Sequence, residues 1–317
     1  MKSDKRRFSS ILIVILGVAE FYLPGQVKEG GAKRIFTHER DVETSSVWDS
    51  IPRWDGGRLI GHIQSHSSGP VIFTMDREGR RDETLFTLKD GALINILDVA
   101  GSANGEIAIA ASAFSADKRA ATFIARISAD REHQTITRTW PYCPKILTFT
   151  PDGTVWTIGN LKDDEDTQDI ANHVLRRFDP SGKMLGSATL RVQGWQTATT
   201  SFLRASRDRV GWFTRAGEYL EFSLDGQEIA RYPGPEGAGV ESRNITGMVL
   251  SEDNEVIVGH FGRATAEFMI LDRERRSWKA VSVSKEQLPE WAFVLGLDGD
   301  TLVTFSTSGR LGRFKTR

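Results

Sequence analysis

Four of the six histidines, His62, His66, His173 and His260, have the chemistry to move protons near neutral pH or to ligate a metal. His62 and His66 fall in one short segment and the other two lie far along the chain, so any joint role needs a fold that gathers them. The run Asp163-Asp164-Glu165-Asp166, with Asp169 close by, offers carboxylate oxygens, but it lacks the Gly and the alternate-ligand spacing of a calcium loop. It reads as a solvated loop, and no metal site is assigned. Trp48, Trp140, Trp195 and Trp291 supply indoles that stack on sugar rings or on partner side chains. Arg215 and Arg263 add positive charge suited to an anionic ligand or partner. Cys143 stands alone, which excludes an intrachain disulfide and any site needing two thiolates. There is no Gly-x-Ser-x-Gly elbow, no phosphate-binding glycine motif and no His-Glu-x-x-His pair, so catalytic residues and cofactor are left unassigned.

The elements that must position these residues repeat along the chain. Ile146 to Asn160 and His173 to Leu190 each read as an apolar, β-branched run, a Gly-containing turn and a second such run, which is the hairpin signature. Two hairpins make four strands. The first-turn positions of successive copies, Gly56, Gly105, Gly153, Asp208, Asn254 and Gly299, lie 49, 48, 55, 46 and 45 residues apart. Four strands per drifting period of this length predict an all-β, six-bladed β-propeller of four-stranded antiparallel blades over residues 33–317. The sixth copy stops one strand short. The strand-like segment Lys33 to His38 belongs to no copy, and it is expected to close the last blade from the N-terminal side, removing two exposed sheet edges.

Pro151-Asp152-Gly153-Thr154-Val155-Trp156 and Arg177-Phe178-Asp179-Pro180-Ser181-Gly182-Lys183 resemble the repeats of six-bladed propellers of the NHL-repeat, TolB-like and gluconolactonase-like kind. The resemblance implies the fold. It implies no single function, because that architecture hosts hydrolases, lyases, receptors and scaffolds. For a gluconolactonase-like enzyme it further implies a carboxylate and amide ring at the channel ends of the inner strands, where this chain has Asn95, Lys145, Thr200 and Asn244.

In such a blade the first and third turns share one face, and the second turn and the blade-to-blade connection share the other. Only the second face has long segments, which makes it the expected working face. It carries the four histidines and the four tryptophans named above, whose rings bind a ligand or fill the wedge between blades. Trp140, Trp195, Arg215 and Arg263 are the expected anchors for a protein segment or glycan, with His62 and His260 as probes of the alternative, a hydrolase or lyase acting on a small sugar-derived or lactone substrate. With 41 basic and 42 acidic residues the chain lacks the overall charge of a dedicated nucleic-acid binder, and a monomer is expected. Lys2, Lys5, Arg6 and Arg7 ahead of the uncharged run Ile11 to Ala19 outline an export signal or membrane-proximal segment within residues 1–25. That apolar run spans about 14 Å as a helix against a hydrocarbon core of roughly 30 Å, so no spanning helix is expected and the location is periplasmic or extracellular.

Overall fold

β-Branched and aromatic runs such as Val71 to Met75 and Val155 to Trp156 are bounded by turn residues and too short for a helix of ordinary length, and both fall in strands. The computed structural model describes residues 36–43, 52–64, 69–89, 93–117, 119–161, 172–191, 201–214, 217–235, 245–261, 266–281, 292–306 and 310–316. The elements among them are all strands. They belong to a compact unit of Arg34–Arg317, and residues 1–25 lie outside the described set.

Blade 1 is β2 (Arg53–Asp55), β3 (Arg58–Ile63), β4 (Val71–Met75) and β5 (Arg81–Leu85). Blade 2 is β6 (Leu93–Gly101), β7 (Ile107–Phe114), β8 (Ala120–Ile127) and β9 (Gln134–Arg138). Blade 3 is β10 (Tyr142–Phe149), β11 (Val155–Leu161), β12 (Asn172–Phe178) and β13 (Met184–Arg191). Blade 4 is β14 (Phe202–Ala205), β15 (Arg209–Phe213), β16 (Tyr219–Ser223) and β17 (Glu228–Tyr232). Blade 5 is β18 (Ile245–Leu250), β19 (Val256–Phe261), β20 (Ala266–Asp272) and β21 (Ser277–Val281). Blade 6 is β22 (Ala292–Asp298), β23 (Thr301–Ser306) and β24 (Arg310–Thr316), completed on the outside by β1 (Phe36–Glu43).

The six blades of the sequence reading are therefore present, each with four antiparallel strands. The closing strand runs Phe36–Glu43, a few residues later than expected, and pairs from Phe36↔Thr316 to Glu43↔Arg310 with a register shift between His38 and Arg40. The first strands of the blades, β2, β6, β10, β14, β18 and β22, touch one another in succession, and β22 touches β2, so the ring closes around its axis.

Each blade boundary has its own apolar cluster, because sheets that stack face to face bury both inner faces. Ile60 and Ile72 pack on Ile107 and Phe123 between blades 1 and 2. Leu147 and Phe178 meet Ala108 and Ile124 between blades 2 and 3. Trp156, Leu175, Trp212 and Phe222 fill the next boundary, and Tyr219, Met248 and Trp278 the one after it. Phe268 with Leu302 and Trp54 with Leu295 complete the circuit. A fully buried side chain of this kind contributes about 1.5–3 kcal/mol.

Ion pairs lock the boundaries toward their rims. Asp298 of β22, its side chain 2 % exposed, accepts from Arg313 at 2.6 Å and from Arg77 of blade 1. Glu221, buried in β16, takes Arg209 of its own blade at 3.0 Å and Arg273 of blade 5 at 3.1 Å. Arg126 of β8 pairs with Glu106 at 3.1 Å and donates to the Gly153 carbonyl of blade 3 at 3.0 Å.

The first turns follow the chemistry of their residues. Ser251 Oγ accepts the Glu255 N–H at 2.8 Å, while Asn254 takes the left-handed conformation (φ 66) that asparagine tolerates. Inner strands crowd near the axis, and this needs glycine: a Cβ at Gly247 would lie 1.9 Å from the Val294 carbonyl oxygen of the next blade. Gly296, one blade on, meets the Trp54 carbonyl in the same way at 2.4 Å. Gly247→Ala is accordingly expected to destabilise the ring by about 3 kcal/mol, as backbone cannot move aside like a side chain. Urea unfolding of the variant against the natural chain checks this; equal midpoints would show that the two strands can separate freely.

Candidate functional site

Two places combine unusual chemistry with a defined position. The first is the rim where the second turns and blade connections lie. Thr139, Trp140, Pro141 and Tyr142 join β9 to β10 in a turn closed by the Tyr142 N–H on the Thr139 carbonyl at 2.8 Å. Thr122 anchors it from β8, its hydroxyl donating to the Tyr142 carbonyl at 2.7 Å and its carbonyl accepting the Thr139 N–H at 2.8 Å. Tyr142 is wholly buried; its phenol lies 2.8 Å from Thr157 Oγ1 and donates to the Val174 carbonyl at 3.1 Å. Trp140, between these fixed points, is 47 % exposed.

Other apolar side chains share this rim. Leu161 ends β11 opposite Tyr142 and is 47 % exposed. In blade 2, Leu93 begins β6 opposite Phe114 at the end of β7, and they are 61 % and 40 % exposed. Four large apolar residues thus stand on neighbouring ends of blades 2 and 3. Scattered singly they would be ordinary, whereas grouped on one rim they mark a surface suited to contact.

The second place is the axis. Arg53 starts β2 and is 4 % exposed. Its guanidinium pairs with Asp55 at 2.7 Å, reaches Asp98 of blade 2 at 3.4 Å and donates to the Leu147 carbonyl of blade 3 at 2.6 Å. It also lies 3.4 Å from Thr148 Oγ1 and 3.5 Å from the Leu203 carbonyl of blade 4. One side chain therefore ties four blades. Asp98 accepts the Leu147 N–H at 2.8 Å, and Asp55 accepts the Gly101 N–H at 3.2 Å. Burial raises the Asp98 carboxyl above its usual range, against the pull of Arg53, the Leu147 N–H and Arg204. Burial, together with the like charge of Arg53, lowers Arg204 to about 10, which still leaves it protonated at neutral pH. Arg53 holds the two carboxylates across blades, while Arg204 donates to the Leu203 carbonyl at 3.0 Å and feels Asp55 and Asp98 through their charge.

The expected site residues do not converge. His62 lies in β3 opposite Ile72 and is 5 % exposed; His260 lies in β19 opposite Ile245 and is 7 % exposed. Blades 1 and 5 hold them, with blade 6 between, and both are interior strand residues. Trp140 stands on the rim as expected. Trp195, Arg215, Arg263, His66, Trp48, Trp291, the acidic run at 163–166, Asp169, Thr200 and Asn244 lie outside the described residues. Asn95 and Lys145, expected at channel ends, are exposed. Among the described tryptophans, Trp54, Trp156, Trp212 and Trp278 fill the wedges between blades, and Trp140 does not.

The axial cluster escaped the sequence reading. Its one signal is a charge set inside an otherwise apolar inner-strand run, as in Ile96-Leu97-Asp98-Val99 and Phe202-Leu203-Arg204-Ala205. The acidic group Asp130, Glu132 and His133 is exposed, and Asp130 caps its own turn by accepting the Glu132 N–H at 3.0 Å.

No family model matches the chain, and no curated protein matches it. Among solved structures it is similar to BBS1N in complex with ARL6DN soaked with lead, at 10 % identity over 90 % of this chain and 98 % of that one, with a TM-score of 0.43. The same complex soaked with mercury gives 11 % identity over 90 % and 97 %, with a TM-score of 0.45.

Proposed function

We propose that this propeller is an exported or envelope-associated binding module that captures a protein segment on the rim of blades 2 and 3. The observation that carries the reading is the exposed group Leu93, Phe114, Trp140 and Leu161, held on strand ends and on a hydrogen-bonded turn. Anchors already fixed in place lose little conformational entropy on contact, and binding energy concentrates in a few aromatic side chains. Aliphatic and phenyl groups on the same rim as the indole favour an apolar peptide over a glycan, whose hydroxyls need polar partners. The axial cluster favours the same reading, since Arg53, Asp55 and Asp98 are engaged in holding blades together.

Selection of a random linear peptide library on the full chain tests this. Apolar, aromatic-containing peptides are expected, and Trp140→Ala should weaken them by about 30-fold or more, equivalent to roughly 2 kcal/mol, with thermal unfolding unchanged. Enrichment of glycans on a carbohydrate array in place of peptides, or peptide capture indifferent to Trp140→Ala and Leu161→Ser, would overturn it. Export rests on the basic and apolar start, Lys2 to Ala19. Fractionation of the native host should find the untagged protein outside the cytosol; recovery wholly in the cytosol with residues 1–25 intact would reject export.

A further inference from the structure

An outer strand presents unpaired backbone groups, and most blades here blunt that edge. β5 reads Arg81-Asp82-Glu83, β17 carries Glu228 and Arg231, and β21 carries Lys279. β9 is five residues long and ends on Arg138. β1 contains Glu39, Arg40, Asp41 and Glu43 and has a register shift. β13 differs: it is eight residues long and carries no charge from Met184 to Leu190. Its own register shift, opposite Arg177 and Phe178, falls at the Met184 end and leaves Gly186 to Leu190 regular. Met184 and Leu185 are each 49 % exposed, and Ser187 and Thr189 are exposed as well. Among the described residues no strand lies beyond it.

We infer that β13 pairs antiparallel with β13 of a second copy of this chain, about a two-fold axis through Ala188, joining two four-stranded blades edge to edge. The sequence of the strand is complementary to itself in that register. Ser187 meets Thr189 of the second copy, a hydroxyl pair favoured across strands, and it does so twice. Gly186 meets Leu190, so a residue without a side chain faces a large one, and Ala188 meets itself. The single charge, at Arg191, meets Leu185. No like charges are opposed, and the same patch serves both copies, as a closed two-fold interface requires. A foreign strand would gain the backbone bonds but not this side-chain match. The inference is independent of the rim of blades 2 and 3.

Sedimentation of the full chain between about 1 and 100 μM tests it. A dimer is expected, in place of the monomer expected from the sequence alone, and the double variant Ser187→Lys/Thr189→Lys should weaken self-association at least about tenfold by setting like charges opposite one another. Both positions are exposed, so its far-UV circular dichroism and melting temperature should stay the same. Cysteine pairing fixes the register independently: mixed Ser187→Cys and Thr189→Cys chains should form a disulfide dimer in excess over either alone, the native Cys143 being buried. A monomer throughout the range, a dimer indifferent to the lysines, or equal cross-linking in the three cysteine samples would overturn the assignment.

Discussion

A chain beginning at residue 44 is expected to melt far below the full-length protein, whereas one beginning at residue 34 should melt with it. β1 is the outer strand of blade 6, and its seven register pairs, Phe36↔Thr316 through Glu43↔Arg310, fasten the start of the ring to its end, since the same chain continues from β1 into β2 of blade 1. Without β1 that tie is gone, and blade 6 is held to blade 1 by packing and ion pairing between the two blades. Among the described residues these contacts include Asp298 with Arg77, Arg313 over the Trp54 ring, and the Trp54, Leu295 and Val303 cluster. β24 also becomes a bare edge, open to pairing with other chains. A loss of about 3 kcal/mol or more corresponds to a fall of roughly 6–12 °C for a domain of this size. Differential scanning calorimetry of both truncations decides the matter, with light scattering to detect aggregation through β24. Equal melting of the two chains would mean that the ring holds without its closing strand.

Arg53→Met is the second large effect. The substitution takes the paired cation from both Asp55 and Asp98 and leaves only the charge of Arg204 nearby, and breaking a buried pair from one side costs about 3–5 kcal/mol. Adding Asp98→Asn should restore part of that loss, because the amide can still accept the Leu147 N–H while carrying no charge. The pH dependence has a definite sign. In the folded protein Asp98 is already raised above its usual value by burial, so the native state binds that proton more tightly than the unfolded chain does. This carboxyl therefore favours folding below the unfolded value of about 4, and the contribution is lost as pH rises through the folded one. Removing Arg53 takes away the strongest influence holding Asp98 down and raises the folded value further. The penalty of Arg53→Met should consequently be smaller at pH 5 than at pH 8, measured by urea unfolding at both. A penalty that is the same at both, or that grows on acidification, would show that the Arg53 charge is not compensating these carboxylates.

The number of blades, their four strands, the position of the first turns and the closing strand were all legible in the sequence. Each depends on local chemistry: the run Val155 to Ile158 is β-branched and aromatic, and the residues around Gly153 and Asn254 can turn. What each side chain faces was decided by the tertiary structure. In β6, Ile94 and Ile96 alternate onto the blade 1 boundary, and strict alternation would send position 98 there too. An extra residue at Leu97 shifts the register between Ile96 and Asp98, so Val99 joins Ile94 and Ile96 in the core and Asp98 turns to the axis, where Arg53 reaches it. Bulges at Lys145, Thr246 and Leu295 shift the phase of three other inner strands in the same way. Which tryptophans fill wedges and which is half exposed on the rim, and why His62 and His260 are interior, depend on that phase and on which blade comes next around the ring. A side-chain period of two makes one inserted residue exchange the two faces of a strand. Leu97, Lys145, Thr246 and Leu295, where those bulges fall, share no residue type that marks them in the sequence, and which core each strand face meets depends on the blade that packs against it.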